Sequence, residues 1–320
     1  MPPWFPGLEF NLFQGGRMSV LRQGSDFLRS WRAPPLPKQI KRRTLQSMAP
    51  SGDDQMSDPR AGAYKDLHQG QLSPQECENR QSAECILDIL WEYIQPSSAL
   101  DVGCGLGSWI AALQGRGVRD VRGIDGPWLS KNAVVCDPSL LQICDLESDF
   151  ALGCSFDLVV CLEVAEHLSS AAAERFVASL VRHAPVILFS AAIPFQGGHH
   201  HVNEQFLSYW VTHFARHGFD LLDLLRGRIW NDQRVIWWLR QNLVLFAHKD
   251  LIMANEKLQH AIRASHGPAS IVHPDVYLSR MQMLSTQLEH YRQVERYLRQ
   301  GGTFRSTITA NGQINLQKVG

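Results

Sequence analysis

The chain has 320 residues, of which 44% are hydrophobic and 19% charged, so it can bury a sizeable core and is not globally disordered. Basic and acidic residues number 31 each, a net charge of zero that argues against nucleic acid or another polyanion as partner. No apolar run approaches a membrane span, and seven cysteines without C-x-x-C spacing read as reduced thiols of a cytoplasmic protein.

Residues 1–60 carry clustered prolines (Pro34, Pro35, Pro37), the basic run Lys41-Arg42-Arg43 and few acids. This composition reads as a disordered segment, with organelle targeting or polyanion contact as its functional alternatives. A main domain is expected over 61–250 and a helical tail over 251–320. From Ser73 to Ile94 the apolar positions Ile86, Leu87, Ile89, Leu90 and Tyr93 recur at helical spacing, and Pro96 ends the helix.

Ala99-Leu100-Asp101-Val102 then runs into Gly103-Cys104-Gly105-Leu106-Gly107, the pattern D-x-G-x-G-x-G at a strand-to-helix turn. Glycine permits positive φ and leaves room for a ligand to approach main chain, and the free N–H groups of such a turn suit an anion. The spacing is neither the dinucleotide fingerprint G-x-G-x-x-G nor a phosphate loop, so a dehydrogenase is excluded. Val121 to Asp125 reads as a second strand ending in an acid, twenty residues past Gly105, where a ribose-binding carboxylate is expected. Leu141 to Cys144 followed by Asp145 repeats the pattern, and Leu158 to Leu162 is an unbroken apolar run, as in a strand covered on both faces.

Together these four segments resemble the ordered motifs of class I S-adenosylmethionine-dependent methyltransferases, over roughly residues 75–250. The resemblance implies a doubly wound, seven-stranded, mainly parallel α/β sheet whose last strand is antiparallel. Strands are expected near 98–102, 121–125, 141–144, 156–162, 185–190, 219–223 and 242–247, and helices near 107–115, 171–183 and 205–217. The implied cofactor is S-adenosylmethionine, held by Asp101, Gly103, Cys104, Gly105, Gly107, Asp125, Gly126, Asp145, Leu146 and Glu163. Asp145 and the main-chain N–H of Leu146 would contact the adenine.

The acceptor side falls after the fifth strand. Gln196-Gly197-Gly198-His199-His200-His201-Val202-Asn203-Glu204-Gln205, with Tyr209-Trp210 beyond, resembles a bacterial methyltransferase branch linked to polysaccharide and secondary-metabolite synthesis. His201, His167 and Glu204 are the candidate catalytic residues, a histidine suiting proton removal from an alcohol or amine near neutral pH. Trp230 and Trp237-Trp238 add aromatic surface, although tryptophan more often serves packing. Glu204 has the alternative of capping the next helix. Glu163, Glu166 and His167 form E-x-x-E-H, two carboxylates and an imidazole expected on one helical turn, a spacing shared with metal-assisted methyltransferases of quinone precursors and RNA ends, which is the runner-up function. The same letters occur in metal-free members, where Glu166 and His167 line the floor of the site, and no metal is expected. A non-catalytic scaffold would have lost the glycines or acids, which are all present.

From Tyr277, residues Tyr277, Leu284, Tyr291 and Leu298 lie seven apart, with Met281 and Leu288 at the other seam position. The open readings are a helix lying back on the domain, a solvated helix, or a homodimerising coiled coil. Gly301-Gly302 should end it, with the remainder frayed. The acceptor is read as a small molecule or glycan precursor.

Overall fold

The computed structural model describes residues 74–129, 134–264 and 269–300, together with the strands 303–308 and 314–319. The segment 1–60, expected above to be disordered, lies outside the described residues.

A leading helix α1 (Pro74–Leu90) buries Ala83, Ile86, Leu87 and Leu90, the face expected from their spacing. The order then runs β1 (Ser98–Val102), α2 (Ser108–Gly115), β2 (Asp120–Asp125), β3 (Leu141–Ile143), β4 (Leu158–Leu162), α3 (Ala173–His183), β5 (Val186–Ser190), α4 (Leu207–Arg216) and β6 (Phe219–Leu222). Two short helices, α5 (Arg226–Ile229) and α6 (Trp237–Asn242), precede β7 (Val244–His248). Helices α7 (Lys249–Ala254), α8 (Glu256–Ala264) and α9 (Pro274–Arg299) follow.

The seven strands form one sheet in the order β3-β2-β1-β4-β5-β7-β6, parallel except for β7, which runs antiparallel to both its neighbours. Separate hydrophobic clusters cover the two faces. One gathers α1, α2 and the α5–α8 region, and the other gathers α3 and α4. Leu158, Val159, Val160 and Cys161 are all buried, which explains their unbroken apolar sequence. On the second face Phe214 stacks on Phe246 at 3.8 Å, with Phe189 edge-on to both. Trp210 packs on Phe189 in this core and is buried.

The strand order reverses between β1 and β4, and ligands of open α/β sheets bind beyond the carboxyl ends of strands at such a switch point. A partly buried clamp sets the register there. Asp157 Oδ2 accepts from Ser97 N (2.7 Å), Ser97 Oγ (2.6 Å) and Ser98 N (3.1 Å), and Asp157 N donates to Ser98 Oγ (3.0 Å). It fixes the starts of β1 and β4, and hence the relative height of the glycine loop and Glu163 at their far ends.

Two expectations need correction. The segment after Gly301-Gly302 is not frayed: β8 (Thr303–Ile308) and β9 (Ile314–Val319) form an antiparallel hairpin. Phe304 and Ile308 in the first segment, and Ile314 and Leu316 in the second, fall on alternate positions, the period of two that strands need. Secondly, Glu163, Glu166 and His167 do not share a helical turn. Glu163 closes β4 with a positive φ of 54°, and only Glu166 and His167 lie in the short 3-10 turn 165–167. None of the seven cysteines is in a disulfide, and no described helix is long and apolar enough to cross a membrane.

Replacing Asp157 by alanine would orphan three donors at a largely buried junction. Unfolding by urea should show a loss of about 3 kcal/mol in Asp157→Ala, with a smaller loss in Asp157→Asn.

Candidate functional site

The glycine loop is built as its residue types require. Gly103, Gly105 and Gly107 have φ values of 74°, 52° and 84°, all in the region that favours glycine. Gly107 caps α2, and the amides of Gly103 and Cys104 donate to Ile124 O at 2.8 and 3.2 Å, strapping the loop to the end of β2. A Cβ on Gly103 would collide with Val164, and one on Gly107 with the Cys136 sulfur. Cys104 is buried and packs its sulfur against Gly123, so it supports the loop by its side chain.

Below the loop lies a cavity of about 230 Å³, lined by Asp101, Gly103, Gly105, Leu106, Glu163 and Trp238. Glu76 and Asn79 of α1 also reach it, and Ser108 at the start of α2 donates to the buried Glu76 carboxylate. A wider depression of about 630 Å³ follows the outer strands from Arg119 to Ile143, but it contains none of the loop glycines.

Asp101 at the end of β1 is buried, and its Oδ2 has no hydrogen-bond partner. Burial, reinforced by the nearby negative charge of Asp125, pushes its pKa up to about 8. Asp125 accepts from Gly105 N at 2.7 Å and Gly126 N at 2.6 Å, and Trp128 also bonds its carboxylate. Burial raises its pKa, and these bonds oppose the rise. Reaching the Asp125 oxygens therefore requires a ligand to exchange with Trp128 or the loop amides. Gly126 lies flat against the Trp128 ring, with no room for a side chain. Asp145 is exposed and caps its own turn through Glu147 N (3.1 Å) and Ser148 Oγ (2.7 Å), while Leu146 is buried in the core. Cys144 N donates to Asp125 O at 2.8 Å, which brings the Asp145 turn beside the end of β2.

The acceptor-side residues converge on the end of β4. Asn242 Nδ2 donates to Glu163 Oε1 at 3.0 Å, and Gln196 Nε2 donates to Oε2 at 3.0 Å. Burial raises the Glu163 pKa against these bonds and the nearby His201. Glu166 is fully buried, neither carboxylate oxygen has a hydrogen-bond partner, and burial beside Glu163 holds its pKa well above the usual range. Its carbonyl accepts from Val202 N (2.9 Å) and Asn203 N (3.0 Å), which pins the histidine loop over it. His201 Nδ1 meets Glu204 Oε1 at 2.9 Å, and its ring sits edge-on to His167 at 4.9 Å. Glu204 also accepts from Phe195 N (2.7 Å) and Gly197 N (2.6 Å), so it orders this loop and does not cap α4.

Thus His201, His167 and Glu204 are brought together, while His199 and His200 are exposed on the loop. Trp238 lines the cavity, whereas Trp230 packs on His273. Sequence reasoning missed Glu76, Asn79 and Asn242. Asn242 is 79 residues from its partner Glu163, and no local pattern joins them.

Residues 100–184 match the family model described as a methyltransferase domain. The match spans the glycine loop, Asp125, Asp145 and the Glu163–His167 segment, and the sheet has the seven strands and the antiparallel last strand expected above. Over this segment the chain is similar to methyltransferase domains. No curated protein matches the chain. Among solved structures, the sugar N-methyltransferase KedS8 from Streptoalloteichus sp ATCC 53650 aligns with a TM-score of 0.42 at 17% identity, covering 65% of this chain and 99% of its own. The plantazolicin methyltransferase BpumL in complex with SAH gives 0.38 at 17%, covering 67% and 88%. The methyltransferase domain of bacterial CtHen1 gives 0.40 at 15%, covering 53% and 98%.

The cavity under the glycine loop suits S-adenosylmethionine. The unpartnered, buried Asp101 oxygen matches the cofactor's ammonium group, and the left-handed glycines leave the loop open to main-chain approach.

Asp101 carries a pH signature. A carboxyl raised to about 8 when folded, against about 3.9 in an open chain, loses stability for the fold as pH rises between those values. The cofactor-free thermal midpoint should therefore fall more steeply from pH 5 to 8 in wild type than in Asp101→Asn. Differential scanning calorimetry across that range checks it.

Proposed function

We propose that the protein moves the methyl group of S-adenosylmethionine to an oxygen, nitrogen or carbon of a small molecule or glycan precursor. The observation that carries this reading is a shared carboxylate. Glu163 ends the cavity under the glycine loop, and the same side chain lies within the field of His201, whose Nδ1 meets Glu204. Cofactor and acceptor machinery thus meet at one residue.

In this reading Asp101, Gly103, Cys104, Gly105 and Gly107 cradle the methionine portion. Asp125 and Gly126 take the ribose, and Asp145 and Leu146 flank the adenine. The sulfonium supplies the driving force when bound, and the protein supplies positioning. His201, its ring fixed by Glu204, takes the acceptor's proton, and His167 is the neighbouring alternative. Gly197 and Gly198 let the loop approach the acceptor closely. Arg280 of α9 lies against Gly197, so the C-terminal helix borders this loop.

Calorimetry with S-adenosylmethionine and S-adenosylhomocysteine tests the cofactor half. Micromolar binding of both is expected, with Gly105→Val losing at least 100-fold in affinity. A folded wild-type sample that binds neither overturns the reading. In a screen of amino sugars, hydroxyl sugars, phenols and amines, His201→Ala should keep its S-adenosylhomocysteine affinity while turnover falls roughly 100-fold or more.

The exposed stripe Tyr277, Met281, Leu284, Leu288, Tyr291 and Leu298 on α9 supports self-association through that helix. Only Val276 of α9 is buried, so the helix does not lie back on the domain along its length. Sedimentation velocity should show a dimer that the double change Leu284→Glu and Leu288→Glu converts to monomer.

A further inference from the structure

We infer that the methyl acceptor is an amine, and that Glu166, His167 and His201 seat its ammonium group beside the cofactor cavity. The inference rests on the methyltransferase reading above and narrows its acceptor atom to nitrogen.

One oxygen or ring nitrogen from each of the three residues lies within 4.8 Å of the other two. The corners of a triangle of that side stand about 2.8 Å from its centre, which is hydrogen-bond distance for a nitrogen. A primary ammonium group carries three N–H donors, one for each corner. The His201 ring is held in place for this by Glu204, which meets Nδ1 at 2.9 Å and is itself anchored by the amides of Phe195 and Gly197. The Glu166 carbonyl holds the amides of Val202 and Asn203, which keeps His201 over the 3-10 turn that carries Glu166 and His167.

The second observation is the state of Glu166. It is fully buried, and both of its oxygens lack a hydrogen-bond partner. A buried carboxylate without partners is costly, and native proteins rarely tolerate one without a compensating group. Its neighbour Glu163 is engaged by the neutral amides of Asn242 and Gln196. Among the described residues no lysine or arginine is ion-paired with either acid. The positive charge that would complete this site has to arrive with a ligand.

The sign of the charge selects the acceptor. A nitrogen gains positive charge as it is methylated. A hydroxyl oxygen gives up its proton and presents negative charge to the methyl group. Fixed acids beside the reacting atom favour the first course and oppose the second. They also ease the approach of an ammonium group to a sulfonium, two cations that must come within a few ångströms of each other.

In the transfer His201 takes one proton from the ammonium group, which frees the nitrogen lone pair. That lone pair forms the bond to the methyl carbon as the sulfur–methyl bond breaks, and the electrons of the broken bond stay on the departing thioether. The product leaves as a methylated ammonium, and the proton on His201 passes to water.

The test uses the full-length protein with a chelator present, with and without S-adenosylhomocysteine, and titrates two matched pairs by calorimetry. The pairs are glucosamine against glucose and benzylamine against benzyl alcohol. In at least one pair the amine should bind roughly tenfold or more tighter than its alcohol. Glu166→Gln keeps the side-chain shape and removes the charge, so it should cut that preference to about twofold or less while S-adenosylhomocysteine affinity stays unchanged. His167→Ala, which opens the same ring at another corner, should weaken amine binding several-fold. Alcohols that bind as well as the amines, no amine binding in either pair, a preference that survives Glu166→Gln, or binding that appears only after a divalent cation is added overturns the amine seat. Binding of S-adenosylhomocysteine without an amine preference rejects the seat and keeps the transferase reading. An amine preference in a protein that does not bind S-adenosylhomocysteine keeps the seat and rejects the transferase reading.

Discussion

Four carboxylates, three buried and Glu163 half-buried, sit at the carboxyl ends of three adjacent strands, and the rest of the site is organised around them. Asp101 ends β1, Asp125 ends β2, and Glu163 and Glu166 follow the apolar run of β4. Taking so many acids out of water is unfavourable unless something meets their charge. The protein meets two of the four by itself. Asp125 is held by the amides of Gly105 and Gly126, and Glu163 by Asn242 and Gln196. Asp101 retains an unpartnered oxygen, and Glu166 retains two. The unmet pair flanks Glu163, one on the side of the glycine loop and one on the side of the histidines. The fold has placed its electrostatic deficit where a charged ligand would relieve it.

Holding that arrangement requires rigid strands and a few long-range ties. The Asp157 clamp sets β1 against β4, so the glycine loop and Glu163 stand level. The aromatic stack of Phe214, Phe246 and Phe189 anchors β5 and β7, and Asn242 sits just before β7. The start of α9 is tied to the same region. His273 N donates to Gln241, Gln241 Nε2 donates to Ile271 O at 2.7 Å, and the His273 ring pairs with Trp230 O at 2.8 Å. The C-terminal helix is thereby fastened beside the acceptor loop at one end and presents its apolar stripe outward along the rest.

Much of this was readable in the residues. The first four strands run up to acids or glycines, and β4 is an unbroken apolar run because a doubly covered parallel strand needs one. The glycine loop was readable because only glycine suits the three left-handed positions. The grouping of the histidines was readable in part. His201, His167 and Glu204 do come together, but the E-x-x-E-H letters suggested a single turn. The positive φ of Glu163 instead turns it to the cofactor side, and His201 takes its place in the cluster. The closing hairpin was overlooked for a different reason. Its alternation is brief and follows a strong helical stop signal at Gly301-Gly302.

By itself the sequence determined the class of fold, the position of the cofactor loop and the identity of the acids at the strand ends. These depend on local period and on the conformations each residue type permits. Tertiary structure alone decided which acids find partners. Glu163 meets Asn242 across 79 positions, and Glu166 meets the loop of His201 across a crossover connection. Whether a buried charge is satisfied depends on groups brought together by the whole sheet, and no local spacing records that.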